Sequence, residues 1–221
     1  MKPLTYEHVA NLFMGIIATA GLVAIVSGIV KGIIDAKHLN KDKKKIRQEN
    51  FNAIVSQLTS QNKSSQLSAA ILIRRFFDTE YGLSLKNETL SIISSLSRVL
   101  PTGIFQKTLV DGLAYASDIS FCDLQKTNLQ DAYLGVKEGI LKMEQTDFFL
   151  SDLSYALIQN VIAHKVIFYR TILLGAQIKD SDLTNGDFRG SDLTNVTFKN
   201  VILKDANFTD AYNIPLNIRE N

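Results

Sequence analysis

"SDLTNGDFRGSDLTN", residues 181–195, decides how the carboxy-terminal half of the chain is read. Leu183, Phe188 and Leu193 stand five residues apart. An α-helix repeats every 3.6 residues and a strand every two, so neither explains this spacing. The same register extends in both directions. Phe148, Leu153, Ile158, Ala163, Phe168, Leu173, Ile178, Phe198, Leu203 and Phe208 all fall on it. Two residues before each of these stands one no larger than valine, such as Ser151, Ala156, Val166, Thr171, Ser181 and Gly186. Between the two there is often an acid or amide: Asp147, Asp152, Asp182, Asp187, Asp192 or Asn207. A shorter block, Ile119, Leu124, Leu129 and Leu134, repeats the pattern one residue out of phase, with Ser117, Cys122, Thr127 and Ala132 as its small residues. The segment 135–142 therefore reads as an insertion that resets the register.

A fixed period across so many units marks a repeat architecture. "SDLTN", "GDFRG", "ANFTD" and "TNLQD" resemble the pentapeptide repeat family, whose consensus is A(D/N)LXX. The resemblance covers 117–134 and 146–212. It implies a right-handed, four-sided parallel β-helix with one repeat per side and twenty residues per coil. In such a coil the large residue and the small one two before it point inward. Leu153, Phe168, Leu183, Phe188, Leu193, Phe198, Leu203 and Phe208 are then the core, and Cys122 is a small inward residue, not a nucleophile. Asn185, Gly190, Asn195 and Asn200 suit tight corners. About four and a half coils at the strand spacing make a rod roughly 22 Å long.

One coil breaks the polar exterior. Leu157, Ile162, Ile167 and Ile172 take the outward place of Asp or Asn, and Tyr169 and Leu174 also point out. An apolar belt of this kind marks a contact site. The helices of 66–116 folding back over it is the favoured cover, because that unit is too small to bury its own apolar residues. A second subunit is the other.

The amino-terminal part has a different character. Residues 1–116 hold 14 Lys/Arg against 8 Asp/Glu, and residues 117–221 hold 10 against 14. From Val9 to Val30 there are 22 residues without a charge, enough for a helix of about 33 Å across a hydrocarbon core of about 30 Å. Ala18-Thr19-Ala20 has the form of a leader cleavage site, but further apolar residues follow it. A buried core helix seldom runs so long without charge. Lys31, Lys37, Lys41, Lys43, Lys44, Lys45 and Arg47 all follow the span. That excess predicts a single-pass protein of the inner or plasma membrane, amino terminus outside and the rest cytoplasmic. Ala20, Ala24, Gly28 and Gly32 recur at i+4 as a small-residue ladder, which allows close helix packing in lipid and so a homo-oligomer.

The resulting organisation is a membrane anchor (1–36), a basic and polar juxtamembrane stretch (37–65), a helical region (66–116), the β-helix (117–212) and a tail (213–221). Phe51, Ile54, Val55 and Leu58 have helical spacing. Further helices are predicted over 66–78 with Ser64 or Ser65 as cap, from Asn87 to before Pro101, and over 103–115 with Ile104, Leu109 and Leu113 inward.

Nothing in the sequence points to chemistry. His8, His38 and His164 are scattered, and there is no phosphate loop, zinc spacing or nucleophile elbow. No catalytic residue, metal, cofactor, small-molecule substrate or nucleic acid is expected. Arg74-Arg75 reads as the solvated edge of a buried helix. The leading function is a non-enzymatic membrane-anchored scaffold or interaction protein, with membrane lipid, a protein partner and itself as partners. Two alternatives stand behind it: an oligomerising membrane effector in bacterial antiviral or stress defence, and a DNA mimic that targets gyrase. The modest acidity of the rod disfavours the last.

Overall fold

The computed structural model describes residues 6–80, 83–136 and 139–219, with side chains from Ser27 onward except those of 28, 30, 217 and 219. It divides into two units at Glu49 and Asn50. The first helix, α1, runs from Tyr6 to Leu58. Beyond Gly32 it contains neither proline nor glycine, and Lys45 meets Glu49 one turn on at 3.8 Å. Ile29, Ile33, Leu39 and Ile46 are exposed among the lysines. Among the described residues no helix is long and apolar enough to cross a membrane. The run Val9–Val30 lies largely outside the described side chains, as do Ala20, Ala24 and Gly28. Gly32 has open space where a Cβ would stand.

In the second unit the end of α1 buries Phe51 and Leu58, and Phe51 meets the Phe76 ring edge-on at 5.0 Å. Helix α2 spans Lys63–Leu72 and passes into a 3₁₀ turn, Ile73–Phe76. Its cap is Asn62, whose side chain accepts the Ser65 N–H at 3.0 Å, and not Ser64 or Ser65. Helix α3 spans Lys86–Ser97 and buries Leu90 and Ile93. Helix α4, Ile104–Val110, continues as a 3₁₀ turn, Asp111–Tyr115. Leu109, Val110 and Leu113 face inward there, but Ile104 in the first turn is 76 % exposed, against the expectation.

The rest is a parallel β-solenoid. Its strands are β1 (Tyr133–Leu134), β2 (Leu141–Lys142), β3 (Leu157–Gln159), β4 (Val161–Ile162), β5 (Gln177–Asp182) and β6 (Thr197–Ile202). They form one six-stranded sheet ordered β1-β3-β5-β4-β2, with β6 on β5. Leu157 pairs with Gln177, and Ile158 with Ile178, so one coil is twenty residues. Tyr133 pairs with Leu157, twenty-four residues on. Four residues are therefore extra between the first coil and the second. Leu141 and Met143 already face the core on the far side of the break.

Every fifth residue from Gln145 to Asp210 turns a corner with φ between 49° and 65°. Only Gly175 and Gly190 among these are glycine. Leu150, Tyr155, Lys165 and Arg170 hold the left-handed conformation without the small or amide side chain that eases it, at roughly 1–2 kcal/mol each. Stacking of coils overrides that local preference. Inside, Phe148, Phe168, Phe188 and Phe208 form a column with ring centroids 5.2, 5.1 and 4.8 Å apart. Leu153, Phe168, Leu183, Phe188 and Leu193 are fully buried. Phe198, Leu203 and Phe208 belong to the same core but are only partly buried, since among the described residues no coil stacks beyond them.

The helices do not cover the apolar belt. They close the first coil. Asn128 N–H donates to the Ser97 carbonyl at 2.8 Å, and the Ser94 hydroxyl donates to the Asp123 carbonyl at 2.7 Å. Buried Gln106 donates to the carbonyls of Asn128 and Gln130, and Lys107 to that of Asp131. The Asp111 carboxylate accepts the Tyr133 N–H at 2.9 Å. A first coil has backbone groups with no coil above them, and burial without partners is costly. That need outcompetes the belt for the helices.

Candidate functional site

The acid or amide before each large inward residue has a definite task. Asp147, Asp152, Asp182, Asp187, Asp192 and Asn207 each accept, through Oδ1, the backbone N–H two residues on. These bonds are 2.9–3.1 Å long. The corner thereby satisfies an N–H that points away from the ladder.

On the third coil Ile162, Ile167 and Ile172 stand in that place, and an isoleucine cannot accept. The N–H groups of His164, Tyr169 and Leu174 consequently have no acceptor in the hydrogen bonds among the described residues. Each isoleucine is paired through the backbone with an aspartate on the following coil, Asp182, Asp187 and Asp192. Ile167 and Ile172 also pair with Asp147 and Asp152 on the preceding one. Ile167 and Ile172 thus lie between two tiers of carboxylates, whereas Ile162 has Lys142 on its preceding side. Leu157, Ile162, Ile167, Tyr169 and Leu174 are half-buried, and Ile172 is 43 % exposed.

Two sides of the belt differ. Beside Ile167, the Tyr169 ring stacks on Phe149 at 5.4 Å, and the guanidinium groups of Arg170 and Arg189 both lie 5.2 Å from its centroid. Arg189 donates to both oxygens of Asp187, at 2.8 and 2.7 Å. That fork holds the Asp187 carboxyl below the usual carboxylate range and raises Arg189 further. Beside Ile172 the surface is open. Tyr155 and Tyr212 are 61 % and 64 % exposed, and Leu150 is exposed as well. A notch of about 340 Å³ is lined by Arg170, Ile172, Gly190, Asp192 and Tyr212. The Arg170 guanidinium has no carboxylate partner among the described residues.

Other candidates found in the sequence are absorbed by structure. Cys122 is partly buried at the joint with α3, and burial pushes its thiol pKa up, away from reactivity. Arg74 lies 4.2 Å over the Tyr115 ring. His164 Nε2 sits 3.0 Å from Asp182. Burial alone would raise the Asp182 pKa, but hydrogen bonds from Thr184 and His164 outweigh it and keep the carboxyl low. Among the described residues no group of three or more His, Cys, Asp or Glu could hold a metal ion. The sequence marked the belt by its apolar residues. It left unread the stranded N–H groups of His164, Tyr169 and Leu174, and that of Lys204 after Ile202, although the recurring Asp at the same place was the available signal.

Comparison with known proteins agrees on the repeat. The family model for pentapeptide repeats matches residues 171–210 in eight copies. No curated protein sequence matches. Solved structures with detectable likeness include a pentapeptide repeat protein of the Arabidopsis thaliana thylakoid lumen, 22 % identical over 53 % of this chain and 75 % of that one, with a TM-score of 0.27. HetL from Nostoc sp. strain PCC 7120, a pentapeptide repeat protein involved in heterocyst differentiation regulation, is 22 % identical over 42 % and 46 %, with a TM-score of 0.23. Rfr23 from Cyanothece 51142 is 19 % identical over 42 % and 89 %, also at 0.23. The match places pentapeptide repeats at residues 171–210, within a solenoid whose twenty-residue coil carries the same five-residue register on either side.

Proposed function

We propose that this protein is a non-enzymatic, membrane-anchored scaffold whose solenoid presents its third coil to a protein partner in the cytoplasm. The observation that carries this reading is the belt itself. At three successive corners the chain gives up both a polar exterior and a backbone hydrogen bond, each such bond being worth about 0.5–1.5 kcal/mol. A surface that departs from its own local rule at successive positions is serving something other than stability. The anchor rests on the uncharged run Val9–Val30 and the basic excess that follows it.

A reporter fused after Asn221 should report a cytoplasmic location, with the protein resisting alkaline extraction from membranes. An external reporter signal, or release by alkali, overturns the anchor. Self-association through Ala20, Ala24, Gly28 and Gly32 belongs to the same proposal. Replacing Ala24 and Gly28 by Leu keeps the span apolar but blocks close backbone approach. Light scattering of the detergent-purified variant, corrected for detergent, should then give a smaller mass than wild type. An unchanged mass would leave the ladder without a role.

A further inference from the structure

We propose that the Ile172 side of the solenoid is a docking face for an extended, apolar peptide segment bearing Lys or Arg. The inference rests on the scaffold reading and specifies the partner's chemistry. Three features of the surface select this occupant. The first is apolar area: Ile172 at 43 % exposure is flanked by Leu150, Tyr155 and Tyr212, all exposed. Four coils at the strand spacing make a strip about 15 Å tall, room for four or five residues of extended chain at about 3.3 Å each.

The second is charge. Asp152 and Asp192 stand on either side of Ile172 in the ladder, and Asp210 turns the last corner below them. Arg170 and, at the same corner on the first coil, Lys126 are the cations beside these three carboxylates. An acidic partner would be repelled, whereas alternating cations and aliphatic side chains meet Asp and Ile in turn. The third is the Leu174 N–H. Its counterparts on the neighbouring coils, at Ser154 and Thr194, are held by Asp152 and Asp192. Leu174 has no such acceptor. A helix has few free carbonyls to offer it, but an extended segment offers one at every residue. The Gly190 notch beside Arg170 gives one side chain of the segment a seat.

The test uses the full chain in nanodiscs of zwitterionic lipid, with empty discs as reference. The probes are two short immobilised peptides, one alternating Val and Lys and one alternating Val and Glu. The Val/Lys peptide should capture the protein at least about tenfold more tightly than the Val/Glu peptide. Ile172→Asn should weaken capture about tenfold or more, and its urea midpoint should be no lower than wild type, since Asn supplies the missing acceptor for Leu174. Asp192→Asn with Asp210→Asn keeps the turn geometry and removes two charges, so it should flatten the salt dependence of capture. Equal capture by both peptides, undiminished capture of Ile172→Asn, or equal binding of empty discs each overturns the proposal. The reporter and mass measurements are independent of it, so failure of this face and failure of the anchored scaffold give different patterns.

Discussion

Phe188→Asp should abolish the cooperative unfolding transition of the solenoid. Phe188 is fully buried, and its ring stacks between Phe168 at 5.1 Å and Phe208 at 4.8 Å, with Phe198 edge-on at 6.2 Å. An aspartate there loses that packing, worth about 3–5 kcal/mol for Phe→Ala in a core. It also leaves a carboxylate with no donor in reach, at a further cost of several kcal/mol. Their sum rivals the entire stability of an ordinary domain, about 5–15 kcal/mol. Arg189→Gln is the control one residue on. It loses only a solvent-screened ion pair with Asp187 and a contact with Tyr169, so its melt should lie close to wild type. Circular dichroism melts of the two variants decide the matter. Comparable damage from both would mean that the five-residue register has been assigned to the wrong phase.

A second substitution probes the break between the first coil and the second. Gly135 lies just after β1, and a Cβ added there would run into the Gln159 carbonyl oxygen and stand 3.0 Å from the Tyr133 ring. The carbonyl belongs to Gln159 at the end of β3, and Gln159 is paired with Lys179 of β5 on the other side, which limits its retreat. Gly135→Ala should therefore destabilise the fold by about 1–3 kcal/mol, the usual range for overpacking, although it adds a single methyl group. Gly103→Ala, where nothing lies within 4 Å, should shift the urea midpoint only slightly. A wild-type midpoint for Gly135→Ala would show that the joint relaxes freely.

The solenoid was legible because its physics is one-dimensional. Each repeat sees only its neighbours along the coil and across it, so a period in residues becomes a period in space. The alternation of large and small inward residues, as at Phe168 and Val166, therefore survived intact from sequence to structure. Corners were legible only in part. Asn185 and Asn195 announce a left-handed turn, but Leu150, Tyr155 and Arg170 make the same turn with side chains that do not advertise it. There the ladder imposes what the residue does not prefer, and no single-residue propensity records that pressure. The seat of the helices was misread for a related reason. Exposed isoleucines are visible in a sequence, whereas the unpaired backbone of a first coil is not. Gln106, Ser94 and Asp111 reach that backbone through polar contacts between residues more than twenty apart, which leave no periodic trace.

Four corners to a coil also make the chain an indexing device. Adding or removing twenty residues after Gln145 changes the number of storeys but returns every later side chain to the wall it had before. Adding or removing five turns everything downstream by a quarter of a revolution: large and small residues still alternate inward, but a slip between Phe168 and Phe188 takes Phe188 and Phe208 out of the column they share with Phe148 and Phe168. A pentad lost between Ile172 and Asp192 would at the same time move Tyr212 and Asp192 off the wall of Ile172. The aromatic column inside and the wall outside therefore hold the same count of repeats, and losing that count rotates the protein's address out of view.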